Sequence, residues 1–272
     1  MSDYSYISLD SLKAMLRDET ASDDISYRRV LESTSEQIDN WCHRAFRPVL
    51  AARVYTPKYA SRIDVNDLLS VTALATDEND DLVYEVTWAS TDYALEPFNA
   101  ALDLVPYKRI STKINGRYVF PLSPQSTQIT GKWGYLERLE TLPSSLSSAI
   151  TATATTLALN SGNDVDILDT LLIDSEQLYV TGLATDTLTV VRGVNGTTAA
   201  AHANAATVKR HRYPGPIVEA CAIQATRIFL RPKAPFGVMG APETGYIRLR
   251  SELDPDVKVL LEPYRVLRIG SV

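Results

Sequence analysis

The chain is short of the residues on which most enzyme chemistry depends. Its 272 residues include only three histidines, two cysteines and three methionines. Two cysteines cannot build a disulfide framework. Cys42 and Cys221 each fall on what reads as the buried face of a helix, as small hydrophobes. His43 directly follows Cys42, so on a helix the two side chains diverge. His202 lies in an alanine-rich stretch and His211 in a basic run, and neither has a ligand or base at a workable spacing. No CxxC, HExxH or GxSxG spacing occurs, and no glycine-rich phosphate loop. The sequence therefore predicts no catalytic residue, no metal and no cofactor.

Long apolar runs are missing too. None approaches the roughly 20 residues of a membrane-spanning helix, so no membrane association is expected. Residues 1–16 have no basic region ahead of an apolar stretch, so they do not read as a secretory signal. The expectation is a soluble protein made in a cytoplasm. A surplus of positive charge is also absent. The formal net charge is −6, whereas a protein that grips DNA carries a basic surface.

What is present is a foldable chain, 45% hydrophobic and 22% charged, which is enough to bury a core. Helical spacing appears three times. Ser8 can cap a helix over about 8–18, followed by Leu9, Leu12, Met15 and Leu16. Asp23 and Asp24 suit the positive end of a helix over about 23–46, whose stripe includes Tyr27, Val30, Leu31, Ile38, Trp41 and Cys42. Pro216 opens a helix over about 216–230, with Ile217, Ala220, Cys221, Ala225 and Ile228 on one face. The expected packing residues of this helical core are Leu12, Leu31, Ile38, Trp41, Phe46, Ile217, Cys221 and Ile228.

Between the helices the period changes to two. Residues 51–135 read as strands over Arg53–Thr56, Val71–Thr76, Tyr84–Trp88, Tyr93–Glu96, Tyr118–Phe120 and Gln128–Trp133. Asp77 to Asp81 reads as a turn; a calcium loop would need Gly and Glu where Leu82 and Trp88 stand. Asn115-Gly116 is a hairpin signal of the type that needs positive φ twice. Residues 145–208 are rich in Thr and Ala, with Tyr179 as sole aromatic, Arg192 as sole basic residue and six acidic residues. They predict a small β module with strands near Thr155–Leu159, Thr170–Ile173, Gln177–Val180 and Thr187–Arg192. Asn195-Gly196-Thr197 matches a glycosylation sequon but reads as a turn. The basic run Lys209 to Arg212 reads as a solvated hinge between the module and the body, with contact to DNA or to a partner's acidic rim as the alternative. In the tail, Val257, Val259 and Leu261 alternate as in a strand. The fold class is α+β: residues 1–140 and 212–272 as one body, 141–211 as an inserted all-β domain, and 251–272 as an extended C-terminal tail.

In their order, these pieces resemble the head–tail connector, or adaptor, family of tailed phages. Tyr6-Ile7-Ser8-Leu9-Asp10-Ser11-Leu12-Lys13 is similar to the family's opening helix. Ile38-Asp39-Asn40-Trp41-Cys42-His43-Arg44-Ala45-Phe46 is similar to the end of its second helix. Asp67 to Thr72 and Asp92 to Pro97 resemble its middle strands, Thr130-Gly131-Lys132-Trp133-Gly134-Tyr135 the strand before its last helix, and Pro216 to Cys221 the start of that helix. The resemblance implies a structural virion protein of the neck that binds the portal in a ring of about twelve copies. It would extend the DNA channel toward a stopper or tail-completion protein, in packaging and ejection, with DNA passing unbound. The tail is then expected to dock on the portal through Val257, Val259, Leu261, Tyr264, Val266, Leu267 and Ile269. The family's last helix follows soon after the Trp-Gly-Tyr strand; here the β module intervenes. Other neck proteins and a β-rich host-surface module are the alternatives. Sugar-binding pockets favour exposed aromatics, and the module has only Tyr179.

Overall fold

The computed structural model describes residues 3–18, 20–162, 164–231, 238–239, 247–248 and 253–267. The chain divides into two compact units, one of Met1–His43 with Arg138–Val272, the other of Arg44–Glu137. Helices and antiparallel sheets are both present, consistent with the α+β class.

The Arg44–Glu137 unit is built on one antiparallel sheet. Its elements are β1 (Val49–Tyr55), β2 (Arg62–Thr76), β3 (Val86–Thr87), β4 (Tyr93–Glu96), the short helix α3 (Ala100–Asp103), β5 (Tyr107–Thr112) and β6 (Thr127–Trp133). The strand order is β1-β6-β2-β5-β4, with β3 paired to the end of β2. Alternation is strict in β6, where Thr127, Ile129, Gly131 and Trp133 point inward. Trp133 packs with Ile63, Leu68, Leu74, Ile110, Ile129 and Phe120 in one core. Its ring N–H donates to the Ala51 carbonyl at 2.9 Å, and the Arg53 guanidinium covers its face at 4.4 Å. Trp88 stacks on Phe120 at 4.7 Å and donates to Thr76 Oγ1 at 3.0 Å.

Several expectations for this region change. Tyr118–Phe120 is not a strand, although Phe120 is core, and β5 had no clear signal because Lys108 and Arg109 interrupt its apolar pattern. Asn115-Gly116 makes no positive-φ hairpin turn. The chain there bends back onto Asp92 instead: Lys113 N–H donates to the Asp92 carbonyl at 3.0 Å and Arg117 N–H to its carboxylate at 3.1 Å. The Asp77 turn does link β2 to β3, with the Asp77 carboxylate accepting from the N–H groups of Asn79, Asp80 and Leu82.

The other unit holds the main helices: α1 (Leu9–Leu16), α2 (Asp24–Cys42), α4 (Gly215–Leu230) and α5 (Pro255–Leu261). Ser8 caps α1, accepting from Ser11 N–H. Helix α2 stops at Cys42, short of the expected residue 46, because His43 turns left-handed and closes the end on the Asp39 carbonyl. Phe46 therefore lies beyond the helix; its ring faces Tyr135 at 5.6 Å in the Arg44–Glu137 unit. Helices α1, α2 and α4 touch pairwise, and α5 lies on α4. The small residues Ala220, Cys221 and Ala225 let α4 approach closely, bringing Cys221 Sγ to 3.7 Å from Ser35 Oγ of α2.

The same unit contains a second sheet: β7 (Arg138–Ser145), β8 (Thr156–Ala158), β9 (Thr170–Ile173), β10 (Glu176–Ala184), β11 (Thr187–Val191) and β12 (Thr207–Arg212), in the order β7-β12-β9-β10-β11-β8. A bridge between Leu146 and Leu159 joins the two outer strands. Ser147 N–H donates to Ala158 O at 2.9 Å and Asn160 N–H to Ser145 O at 3.0 Å. The sheet thereby closes on itself around Leu146, Leu157, Leu171, Leu178, Leu188 and Val208. The basic run expected as a hinge is strand β12: His211 is buried, and Arg210 reaches Asp169 at 3.1 Å and Glu140 at 3.0 Å. A remaining pair of two-residue strands, β13 (Val238–Met239) and β14 (Ile247–Arg248), stands apart.

The grouping of helices with this sheet differs from the division expected from sequence, which placed them with residues 51–135. Two contacts explain it. Leu9 N–H donates to the Ile167 carbonyl at 3.0 Å, and Tyr179, fully buried, donates its hydroxyl to Glu32 of α2 at 3.1 Å. The module's sole aromatic is an anchor for the helices.

The tightest constraint on the first sheet is at Gly131. A Cβ there would lie 2.2 Å from the Ser70 carbonyl oxygen in the neighbouring strand. Gly131→Ala is expected to lower stability by about 1–3 kcal/mol, measured as a reduced denaturation midpoint in urea; an unchanged midpoint refutes the constraint.

Candidate functional site

Among the described residues, Glu176, His202 and Cys221 are committed to internal partners or shielded by burial. Glu176, at the start of β10, is fully buried. Arg192 meets it with two parallel bonds of 2.7 Å, and the N–H groups of Gly193 and Ala200 donate to it at 3.0 and 2.9 Å. His202 places Nε2 at 2.9 Å from the same carboxylate and Nδ1 at 2.7 Å from Asp174. With carboxylates on both ring nitrogens, His202 has no nitrogen open to a substrate. Arg192 also donates to the carbonyls of Thr151, Ala154 and Ala200, tying three loops to one carboxylate. Burial pushes the Glu176 carboxyl up, but Arg192, the Ala200 N–H and His202 outweigh it and hold the group down at about 2.

The Asn-Gly turn belongs to this centre. Gly193, Asn195 and Gly196 all take left-handed φ. Asn195 donates to Gln177 Oε1 at 2.8 Å, and Thr197 Oγ1 accepts from Gln177 N–H at 3.0 Å. The run Arg192 to His202 is thus a folding motif. Cys221 is equally inert: burial raises its thiol to about 12. Burial and the neighbouring Glu32 charge also raise the Tyr179 hydroxyl.

Asp77, Asp81 and Glu85 gather carboxylate oxygens within 4.8 Å of one another, but Asp77 already holds the backbone of its own turn. A pocket of about 180 Å³ opens beside the start of α1, lined by Ser5, Ser8, Asp169, Thr170, His211 and Tyr213 among others. Asp169 there, raised by burial, accepts from Asp166 N–H and from Arg210.

The residues expected to dock on a partner separate into two sets. Val257 and Leu261 are fully buried, on the inner face of α5. The strand expected there is a helix, because Asp254 caps it by accepting from Asp256 N–H and Pro255 occupies its first turn. Val259 and Leu267 are 73% and 67% exposed. Tyr264 and Val266 are half-buried, and Ile269 lies outside the described residues. The segment is fastened to the helices by Arg227–Asp254 at 2.8 Å, by Asp254 N–H on Gln224, and by Val266 N–H on the Cys42 carbonyl at 2.9 Å. Lys258 and Arg265 both face the Trp41 ring, at 5.5 and 4.7 Å. Of the expected helix-packing residues, Leu12, Leu31, Ile38, Ile217 and Cys221 are fully buried, while Trp41 and Ile228 are half-buried. The sequence reading missed Glu176, Arg192 and His202 as a set. The lone Arg in an acidic segment was the one available signal.

Since Glu176 is held near 2 rather than at its ordinary 4.5, its contribution is complete above pH 4.5 and lost as pH falls toward 2. Urea titrations at stepped pH should show stability falling through that window. Glu176→Gln should remove about 3–5 kcal/mol at neutral pH by leaving Arg192 buried and unpaired. A variant as stable as the parent at pH 7 contradicts this account.

No protein-family model matches the chain, and no curated protein matches it. Among solved structures, it is similar to a chain from the neck of an empty GTA particle computed with C6 symmetry. The two are 13% identical, the match covers 98% of this chain and 93% of that one, and the TM-score is 0.43, a coarse likeness.

Proposed function

We propose that this chain is a non-enzymatic structural subunit of a tailed-phage neck: an adaptor that forms a ring on the portal and carries the DNA channel toward the next neck protein. The observation that carries the reading is where the adaptor-like segments fall. Residues 6–13, Asp24, Leu31, 38–46 and 216–221 resemble the family's helices, and they fall on α1, α2 with its C-terminal end, and the start of α4, which pack together although a long stretch of sequence separates the last from the others. The chemistry agrees. His202, Glu176 and Cys221 are occupied or shielded, while Val259 and Leu267 are exposed. A net charge of −6 per copy, repeated around a ring, keeps the channel from holding phosphates.

In this reading the portal meets the outer side of the tail. Val257 and Leu261 fix α5 to the subunit, and Val259 and Leu267 face outward for a partner. Deleting the tail from residue 251 onward would also remove α5 and uncover Trp41, so point variants are the cleaner probe. Native mass measurement of the chain with the portal protein tests the function. The parent chain should bind in a multimeric complex, and Val259→Asp with Leu267→Asp should bind at least about tenfold more weakly while keeping the parent's circular dichroism. A parent chain that ignores the portal overturns the adaptor reading; a double variant that binds normally overturns only the tail assignment.

A further inference from the structure

We infer that the pocket beside the start of α1 binds a primary ammonium group carried on an alkyl stem, through Asp166, Asp169 and Thr170. The site is one that the neck reading does not use, and it stands or falls apart from that reading.

Three segments distant in sequence build the pocket: residues 5–11, the turn that leads into β9, and the end of β12 with the start of α4. The turn positions the polar groups. Leu168 takes a left-handed φ of 77°. Asp166 N–H donates to the Asp169 carboxylate at 3.0 Å, and Asp169 N–H donates to the Asp166 carbonyl at 3.2 Å. Both carboxyls and the Thr170 hydroxyl thereby line one pocket. Its volume of about 180 Å³ is more than ten times the roughly 15 Å³ that one water needs.

Thr170 points to a ligand. The residue is only 2% exposed, and its Oγ1 has no hydrogen-bond partner in the protein. A buried hydroxyl in that state costs free energy, and an N–H donor in the pocket removes the cost.

The charges say which donor. Asp10, in the first turn of α1, lies against Asp166; partial burial and then the Asp166 charge push its carboxyl up. Burial pushes Asp169 up as well, although the Asp166 N–H and Arg210 pull the other way. The nearby cations are already engaged. Arg210 is shared between Asp169 and Glu140, and Lys13 is held by Asp24 at 2.9 Å. Arg212, the one guanidinium on the lining, donates to Glu140 at 2.7 Å. Among the described residues no Lys or Arg pairs with Asp166.

The geometry narrows the cation. Among the described residues, the one set of three metal-ligand atoms within 4.8 Å of one another is Asp77, Asp81 and Glu85, in the other unit. A chelated metal therefore does not fit this pocket, and an organic cation does. Acceptors on three separate side chains suit the three rotatable donors of an ammonium better than the planar fork of a guanidinium. Ile7, Leu168 and Val218 on the lining suit the methylene stem. A lysine side chain of a partner chain and a free diamine share this chemistry.

Calorimetric titration of the full chain at pH 7 and low salt tests the inference. The probes are 1,4-diaminobutane and Nα-acetyl-lysine methylamide, with Nα-acetyl-norleucine methylamide as the uncharged control. At least one amine should bind saturably and raise the melting temperature, and the control should not. Binding of diaminobutane alone assigns a free amine; binding of the lysine derivative alone assigns a partner's side chain. Asp166→Asn keeps the backbone bonds of the turn and should weaken binding about tenfold or more. Thr170→Val should also weaken it, yet melt no lower than the parent, because a methyl group replaces a hydroxyl that bonds nothing. The inference is overturned if neither amine binds, if the control or magnesium chloride does as well as the amines, if either variant binds like the parent, or if Thr170→Val lowers the melting temperature.

Discussion

A carboxylate withdrawn from water organises the larger of the two units. Ionised Glu176 in an apolar interior is tolerable only with a full set of partners, and the chain supplies Arg192, two backbone N–H groups and His202. Arg192 in turn gathers carbonyls from residues 151, 154 and 200. The long irregular connections of the barrel are therefore held by a single ion pair near its core. On the far side of β10, Tyr179 reaches Glu32 of α2, so the strand that carries Glu176 also positions the helices.

From that centre the division of labour follows. Glu176, His202 and Cys221 are drawn inward and held by partners or by burial, while Val259 and Leu267 stand exposed on and beyond α5 and Phe98 and Leu102 beyond β4. In this arrangement the polar interior fixes shape and the surface is free for attachment. Trp41 illustrates the joint between the two. Flanked by Lys258 and Arg265, it uses the tail's positive charges to hold an anchor from which other side chains project.

The sequence was most legible where a local signal and a periodic pattern agreed. Ser8 before Leu9 and Leu12, and Pro216 before Ile217 and Cys221, marked α1 and α4 because cap chemistry and buried spacing coincide there. It was least legible where charges sit on buried strands. Lys209 to Arg212 read as solvated because nothing local reveals that Asp169 and Glu140, brought from elsewhere, neutralise Arg210. In Val257 to Leu261, the same residues satisfy both a two-residue and a four-residue period, and Asp254-Pro255 was the signal that favours the helix. Glu176 was invisible as a centre, since its partners lie 16 and 26 residues away and no spacing rule connects them. The grouping of the helices with the second sheet was hidden for a similar reason: the contacts of Leu9 and Tyr179 are made only in the folded chain.

The pairing of β7 with β12 has a consequence for how such a chain can vary. Arg138 stands opposite Arg212, so the stretch of polypeptide between them leaves and returns at neighbouring points. Whatever is threaded between those points imposes no stretch on what precedes and follows it. A cassette with paired ends can be enlarged, trimmed or exchanged for a tight turn while the entry and exit of the remaining chain stay a strand's width apart. The barrel's hold on the helices is made by Tyr179 and Ile167, far in sequence from the paired ends through which the chain enters and leaves.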